Sequence, residues 1–221
     1  MRIGVFGGTF NPVHYGHLRA AEEVRESLGL ERILFVPAGV PPLKSSELEA
    51  VKHRYSMTEL AIASNRFFEI SDIECKKSER SYSVDTVQEL KALYPDSELF
   101  FILGTDAFMD LPNWRQPEKL TALVDFVIIA RPSCVFADIA NSPYLEVKKD
   151  VLLKLDQGII DSYNATLKSG RTAVLLRITP MAVSATHIRA LLQKNKSVKY
   201  LLPESVESYI ISHGLYTKTG Q

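Results

Sequence analysis

The opening seventeen residues constrain this chain more than any other stretch. An apolar strand, Ile3-Gly4-Val5-Phe6, runs into Gly7-Gly8-Thr9-Phe10-Asn11-Pro12-Val13-His14-Tyr15-Gly16-His17, so a strand hands over to a helix through a glycine turn. Gly7 and Gly8 let backbone amides come close to an anion. A helix beginning near His14 aims its free N–H groups and the positive end of its dipole at the same point. His14 and His17 are three residues apart and share one face of that helix. An ordinary strand-to-helix turn can carry any one of these residues, but the whole HxGH pattern in a strand–loop–helix setting assigns the loop to phosphate handling.

Beyond the loop, strands alternate with helices, the pattern of a parallel sheet covered on both faces. The expected strands are Arg2–Phe6, Arg32–Pro37, Phe67–Ser71, Leu99–Leu103, Phe126–Ala130 and Val174–Ile178. The expected helices are His14–Leu28, His53–Ser64, Val84–Leu93, Ser184–Gln193 and Pro203–His213. Gly29 suits the end of the first helix, Pro95 closes the third and Pro203 suits the first turn of the last. Apolar spacing supports two of them, through Val84, Val87, Leu90 and Leu93, and through Val206, Tyr209 and Ile210. Ser133–Gly170 is less defined, holding either a helix around Lys148–Leu155 or a partly ordered insertion. The expectation is a doubly wound α/β fold in a single domain over residues 1–221.

Composition narrows the function classes. A chain of 221 residues is long enough for one large α/β domain with a proper core. Lys plus Arg and Asp plus Glu both number 26, which argues against a general binder of nucleic acid or anionic membranes. Cys75 and Cys134 are isolated, offering neither a disulfide framework nor a CxxC metal site. No apolar run approaches membrane-spanning length, and the N-terminus, one arginine and then a short strand, is unlike a secretory signal. The cytoplasm is the expected compartment, with no nucleic-acid or membrane partner.

A second constellation lies late in the chain, at Thr179-Pro180-Met181-Ala182-Val183-Ser184-Ala185-Thr186-His187-Ile188-Arg189. Ser184 is an N-cap candidate, Thr186 lies in the first turn, and Arg189 follows on the same face. A hydroxyl, open amides and a guanidinium thus converge, a set suited to the outer phosphates of a nucleoside triphosphate. Alone it also reads as a capped helix with a solvated arginine.

Together the two motifs resemble the nucleotidyltransferase superfamily related to class I aminoacyl-tRNA synthetases, in which HxGH and a late SxTxxR-type segment face ATP. The resemblance sharpens along the chain. Val36-Pro37-Ala38-Gly39-Val40-Pro41-Pro42-Leu43-Lys44, His53-Arg54-Tyr55-Ser56-Met57 and Ser81-Tyr82-Ser83-Val84-Asp85-Thr86 follow in order. Then come Gly104-Thr105-Asp106, Trp114, Ala130-Arg131-Pro132, Leu202-Pro203-Glu204 and His213-Gly214-Leu215-Tyr216. This series resembles the bacterial nicotinate-nucleotide adenylyltransferase family. The resemblance implies a Rossmann-like fold and transfer of AMP from ATP to nicotinate mononucleotide.

The nucleophile in such a reaction is a phosphate already anionic at neutral pH, so the task is mostly positioning and charge stabilisation. The resemblance then gives His17 to the α-phosphate in the transition state and His14 to phosphate positioning, with Thr9 and amides near Phe10 completing the cradle. Ser184, Thr186 and Arg189 hold the β and γ phosphates. Magnesium (Mg2+) is carried chiefly by the triphosphate and water, because the sequence shows no carboxylate cage. Gly104 and Asp106 sit near the adenosine ribose, at the topological switch point. Selectivity for the acid over the amide falls to Ser81–Thr86 and Trp114: Trp114 stacks on the pyridine, Thr86 and nearby helix amides receive the carboxylate, Tyr82 lines the pocket and Ser83 caps the helix. One departure stands out, since the family commonly has PPH where this chain has Pro41-Pro42-Leu43; Lys44 keeps the charge for a substrate phosphate. His53, His187 and His213 are read as structural or surface residues. The alternatives are a sister enzyme acting on nicotinamide mononucleotide or pantetheine phosphate, and a nucleotide-binding regulator without turnover.

Overall fold

The computed structural model describes residues 1–40, 48–131 and 134–217. In chain order the strands are β1 (Arg2–Gly8), β2 (Arg32–Pro37), β3 (Phe68–Ile70), β4 (Glu98–Gly104), β5 (Asp125–Ile129), β6 (Leu145–Glu146), β7 (Ser162–Leu167) and β8 (Thr172–Leu176). The α-helices are α1 (Tyr15–Leu28), α2 (Val51–Ile62), α3 (Ser83–Leu93), α4 (Thr105–Met109), α5 (Pro117–Leu123), α6 (Lys149–Asp156), α7 (Ala185–Leu192) and α8 (Glu204–Ser212). The strands form one sheet in the order β3-β2-β1-β4-β5-β8-β7-β6. From β3 to β8 every pairing is parallel, while β7 runs antiparallel to both β8 and β6. This is the Rossmann-like, doubly wound α/β arrangement that the motif order implied.

Strand periodicity divides the core. Ile3 and Val5 of β1, Leu34 and Val36 of β2, and Phe101 and Leu103 of β4 turn to one face, under α3 and α5. Phe6, Ile33, Phe35, Phe100 and Ile102 turn to the other, under α1, α2, α7 and α8. Both faces are buried, so these strands are near-continuous apolar runs rather than an apolar–polar alternation. The chain winds from β1 through β3 on one side, then α3 carries it back across to β4. The C-terminal ends of β1 and β4 therefore part company, opening the crevice in which such sheets bind ligands.

The differences from expectation have physical causes. Gly7 and Gly8 belong to β1, paired with Val36 and Pro37, and are not a turn. The left-handed residue of the loop is Phe10, with φ of 45°. Helix α1 starts at Tyr15 with His14 as its extended N-cap. Tyr82, not Ser83, occupies the N-cap of α3. Helices α4 and α5 have five and seven residues, too few for a periodic signal. The Ser133–Gly170 stretch contains α6 close to the place expected, and also the edge pair β6–β7, whose outer residues are largely exposed. Neither Cys75 nor Cys134 is in a disulfide. Among the described residues no helix is long and apolar enough to cross a membrane.

Candidate active site

The HxGH loop is a turn packed around its own aromatic ring. Phe10 is almost fully buried, its ring 5.9 Å from Phe6, 5.7 Å from Phe35 and 5.2 Å from His17, centroid to centroid. A bulky residue at positive φ is a conformational outlier that packing must hold in place. His14 and His17 do not simply share a helix face: their rings stack, 3.8 Å apart and 29° from parallel. The His14 amide donates to His17 Nδ1 at 3.3 Å, which leaves the proton of a neutral His17 on Nε2. His14 is 6% exposed and its Nδ1 has no partner among the described residues. Burial, helped by the Arg131 charge, brings its imidazole pKa down to about 4, so at neutral pH it is an uncharged hydrogen-bonding group. Gly16 explains the glycine of the motif, because a Cβ there would lie 3.1 Å from His14 Nδ1 and 3.0 Å from Val183 Cγ1.

The late motif lands on this loop. Ser184 is the N-cap of α7, its Oγ accepting from the His187 amide at 3.2 Å. Arg189 Nη1 donates to the Asn11 carbonyl at 2.9 Å across 178 residues of sequence, and Nη2 lies 3.5 Å from Thr186 Oγ1. Ser184 and Thr186 are both exposed. A Cβ on Gly7 would meet nothing within 4 Å, so the end of β1 stays open above the backbone, with Gly8 and Thr9 following. Gly104 ends β4 and caps α4, and the exposed Asp106 carboxylate accepts from Arg131 Nη1 at 3.3 Å.

Around α3 the polar side chains are placed differently from expectation. Thr86 is 2% exposed, and its hydroxyl is committed within the protein, 2.7 Å from Glu74 Oε1 and 3.2 Å from the Tyr82 carbonyl. A hydroxyl has a single proton, so the expectation that this one meets a substrate carboxylate is corrected. The Thr86 amide also bonds the Tyr82 carbonyl, at 3.1 Å. The first amides of α3, at Ser83 and Val84, are the ones that helix geometry leaves open. Tyr82 is partly buried, with the Arg115 guanidinium 4.7 Å from its ring centroid. Trp114 is also partly buried, its ring T-shaped to that of Phe101 at 6.3 Å between centroids, and its Nε1 donates to Asp110 at 3.3 Å. Leu43 and Lys44 lie outside the described residues.

Residues 5–191 match the cytidylyltransferase-like family. The chain is 41% identical to a Geotalea daltonii protein named "Probable nicotinate-nucleotide adenylyltransferase", over 98% of both chains, and 39% identical to its Geobacter sulfurreducens namesake over the full length of both. The chain belongs to the nicotinate-nucleotide adenylyltransferase family. Its fold matches two solved structures of Plasmodium falciparum nicotinic acid mononucleotide adenylyltransferase. The first, complexed with NaAD, has a TM-score of 0.72 at 22% identity and covers 97% of each chain. The second, complexed with APC, has a TM-score of 0.70 at 22% identity, covering 97% of this chain and 96% of the other.

Within this member of the family, three residues that were assigned no role from the sequence hold the site together. Arg54 is 1% exposed, and its guanidinium donates to the carbonyls of Thr9 at 2.8 Å, Gly39 at 2.8 Å and Glu49 at 3.0 Å. Tyr216 donates its hydroxyl to Asn11 Oδ1 at 2.8 Å, tying the C-terminal segment to the phosphate loop, and burial keeps that hydroxyl protonated. Glu74 binds Thr86 and the Gly39 amide. Arg54 and Tyr216 lie in segments that carry the family resemblance, and Arg54 has a physical signal as well: it falls on the buried stripe of α2 with Met57, Thr58 and Ala61, where an arginine is out of place unless it has partners. His53 finds its own partner in Tyr209, at 3.0 Å from the hydroxyl, at the α2–α8 contact.

Proposed function

We propose that the chain transfers AMP from ATP to nicotinate mononucleotide, giving nicotinate adenine dinucleotide and pyrophosphate, a step of NAD biosynthesis. The observation that carries this reading is the meeting of the two motifs: the Arg189 guanidinium on the Asn11 carbonyl, beside a buried histidine whose Nδ1 has no partner among the described residues. A phosphate oxygen of the acceptor forms a bond to the α-phosphorus as the bond from that phosphorus to the bridging oxygen of pyrophosphate breaks. The attacking oxygen is already an anion, so no proton has to leave it. The protein must hold two like-charged groups in line and receive the charge that builds up on the α-phosphate and the leaving group.

Each residue has a part in that task. His17 presents Nε2–H to the α-phosphate, where the charge on its oxygens changes most during transfer. His14, uncharged at neutral pH, adds a directional hydrogen bond rather than a second cation. Arg189, Thr186 and the α7 amides behind Ser184 take the outer phosphates, with Gly7, Gly8, Thr9 and the Phe10 turn lining the other wall. Gly104 and Asp106 lie at the ribose. Tyr82, Trp114 and the first amides of α3 receive the pyridine and its carboxylate, and Lys44 receives a substrate phosphate.

Magnesium fits this donor set as a passenger of the nucleotide. Among the described residues no three His, Cys, Asp or Glu side chains come together as a ligand cluster, and Mg2+ held by phosphate oxygens and water does not require one. When bound it neutralises triphosphate charge; orientation remains with Arg189, Ser184 and Thr186.

The test is the ratio of specificity constants for nicotinate and nicotinamide mononucleotides in a pyrophosphate-release assay. A carboxylate facing helix amides makes charge-assisted bonds that an NH₂ group cannot, so the acid is expected to win by about 10²-fold. Equal use of the two nucleotides would remove the specific substrate and leave the adenylyltransferase class in place.

A further inference from the structure

Glu74 lies in the loop between β3 and α3, outside the motifs that contact nucleotide, yet it is the point where three parts of the site are joined. Its Oε1 accepts the Thr86 hydroxyl at 2.7 Å, and its Oε2 lies 3.4 Å from the Gly39 amide, after β2. The approach at Gly39 is close. A Cβ there would lie 2.2 Å from the Glu74 carbonyl oxygen and 2.9 Å from Ser81 Oγ, so a larger residue would drive the two loops apart. The same two loops are stitched by the bridge between Val40 and Arg80 and by the Ser81 amide on the Val40 carbonyl at 3.1 Å. On the far side of Gly39, its carbonyl is held by Arg54, which also holds the Thr9 carbonyl of the phosphate loop. A continuous polar chain thus runs from Thr9 through Arg54, Gly39 and Glu74 to Thr86 at the start of α3.

We infer that Glu74 is a positioning residue for the acceptor nucleotide, its carboxylate clamping the start of α3 to the Gly39 loop and, through Arg54, setting the acceptor pocket at a fixed distance from the phosphate loop. This rests on the reading that the Tyr82–Thr86 turn receives the acceptor. It accounts for a costly arrangement. Glu74 is partly buried, and that burial holds its carboxyl above the usual carboxylate range in spite of Thr86, the Gly39 amide, Lys77 and Ser81. The charged groups that face it are Arg54 from α2 and Lys77 from its own loop, with Cys75 beside it in the chain. The bonds from the Thr86 hydroxyl and the Gly39 amide fall on different carboxylate oxygens, so an amide can replace the acid. In Glu74→Gln the amide oxygen can accept from Gly39 while the NH₂ donates to Thr86 Oγ1, whose own proton turns to the Tyr82 carbonyl.

The experiment is steady-state kinetics on the full chain, varying each substrate at saturation of the other, for wild type, Glu74→Ala, Glu74→Gln, Thr86→Val and the double variant Glu74→Ala/Thr86→Val. Glu74→Ala and Thr86→Val should each raise the acceptor KM about tenfold or more, with the ATP KM and kcat within about threefold of wild type. Glu74→Gln should stay within about threefold of wild type for all three constants. The double variant should be no worse than the worse single, because both remove one clamp. An unchanged acceptor KM in Glu74→Ala, an equal rise in both KM values, additive losses, or a Glu74→Gln variant as weak as Glu74→Ala would each overturn the inference. Should Glu74→Ala not fold, Thr86→Val and Glu74→Gln decide it by the same criteria. A wild type that prefers another pyridine nucleotide refutes the proposed acceptor alone, and the clamp is then scored on the nucleotide it uses. A wild type that adenylylates none refutes both.

Discussion

On the phosphate side of the crevice, the buried His14 keeps its Nδ1 without a partner among the described residues, whereas on the acceptor side the Thr86 hydroxyl and the Trp114 Nε1 both end on carboxylates of this same chain. The two sides use polar side chains differently. On the proposed reading the histidines of the HxGH loop face the nucleotide, while scaffold bonds from Arg54, Tyr216 and Arg189 go to the loop's backbone carbonyls and to Asn11. Around α3 the side chains hold the scaffold, and the proposed reading gives the ligand to backbone amides and ring faces. Electrostatic work in a transition state needs donors aimed at developing charge, while recognition of a flat ring and its substituent needs shape and a fixed helix start. Substitutions on the first side should therefore cut turnover or ATP binding, and those on the second should act on the acceptor KM.

The largest contrast should come from His17→Ala. Removing a donor aimed at the α-phosphate should lower kcat by about 10²- to 10³-fold while the melting temperature stays close to wild type. A folded variant with near-normal kcat would erase the distinction between the two sides. Next is the pH dependence that His14 imposes on stability. Its folded pKa of about 4 lies below the ordinary imidazole value of 6.5, so between these values the unfolded chain binds a proton that the native state does not. Stability therefore falls as pH drops through that window, by about 3 kcal/mol once pH 4 is reached. Denaturant unfolding at pH 7, 5.5 and 4, in wild type and His14→Gln, isolates this contribution as the difference between the two profiles; parallel profiles would contradict it.

Arg189→Ala should follow, raising the ATP KM about tenfold through the loss of a charge-assisted phosphate contact, with the acceptor KM little changed. An equal rise in both would mean that its bond to the Asn11 carbonyl matters more than its hold on phosphate. The smallest effect is expected at Trp114→Ala. A lost stacking face should raise the acceptor KM by about two- to tenfold, and by the same factor for acid and amide, because stacking does not tell them apart. A selective loss of the acid would instead place the tryptophan among the groups that read the carboxylate.

What the sequence determined by itself was carried by neighbours in the chain. The strand–HxGH–helix succession, the Ser184 cap of α7 and the apolar runs of a sheet buried on both faces depend on contiguous residues, and the structure returns all three. Boundaries moved where a local rule met packing: Gly7 and Gly8 continued the strand, and Phe10 took the positive φ because Phe6, Phe35 and His17 hold its ring. The hairpin of β7 and β8 escaped notice because the residues of Ser162–Leu167 are mostly exposed and carry little apolar pattern. The commitments of polar side chains were decided only by tertiary structure. Thr86 looked like a free hydroxyl at a helix start until the loop before α3 brought Glu74 against it. Arg54 meets Thr9 across 45 residues, and Tyr216 meets Asn11 across 205. Such pairs follow from the order of strands in the sheet, which local propensity does not encode, and a buried hydrogen bond takes whichever partner that order supplies.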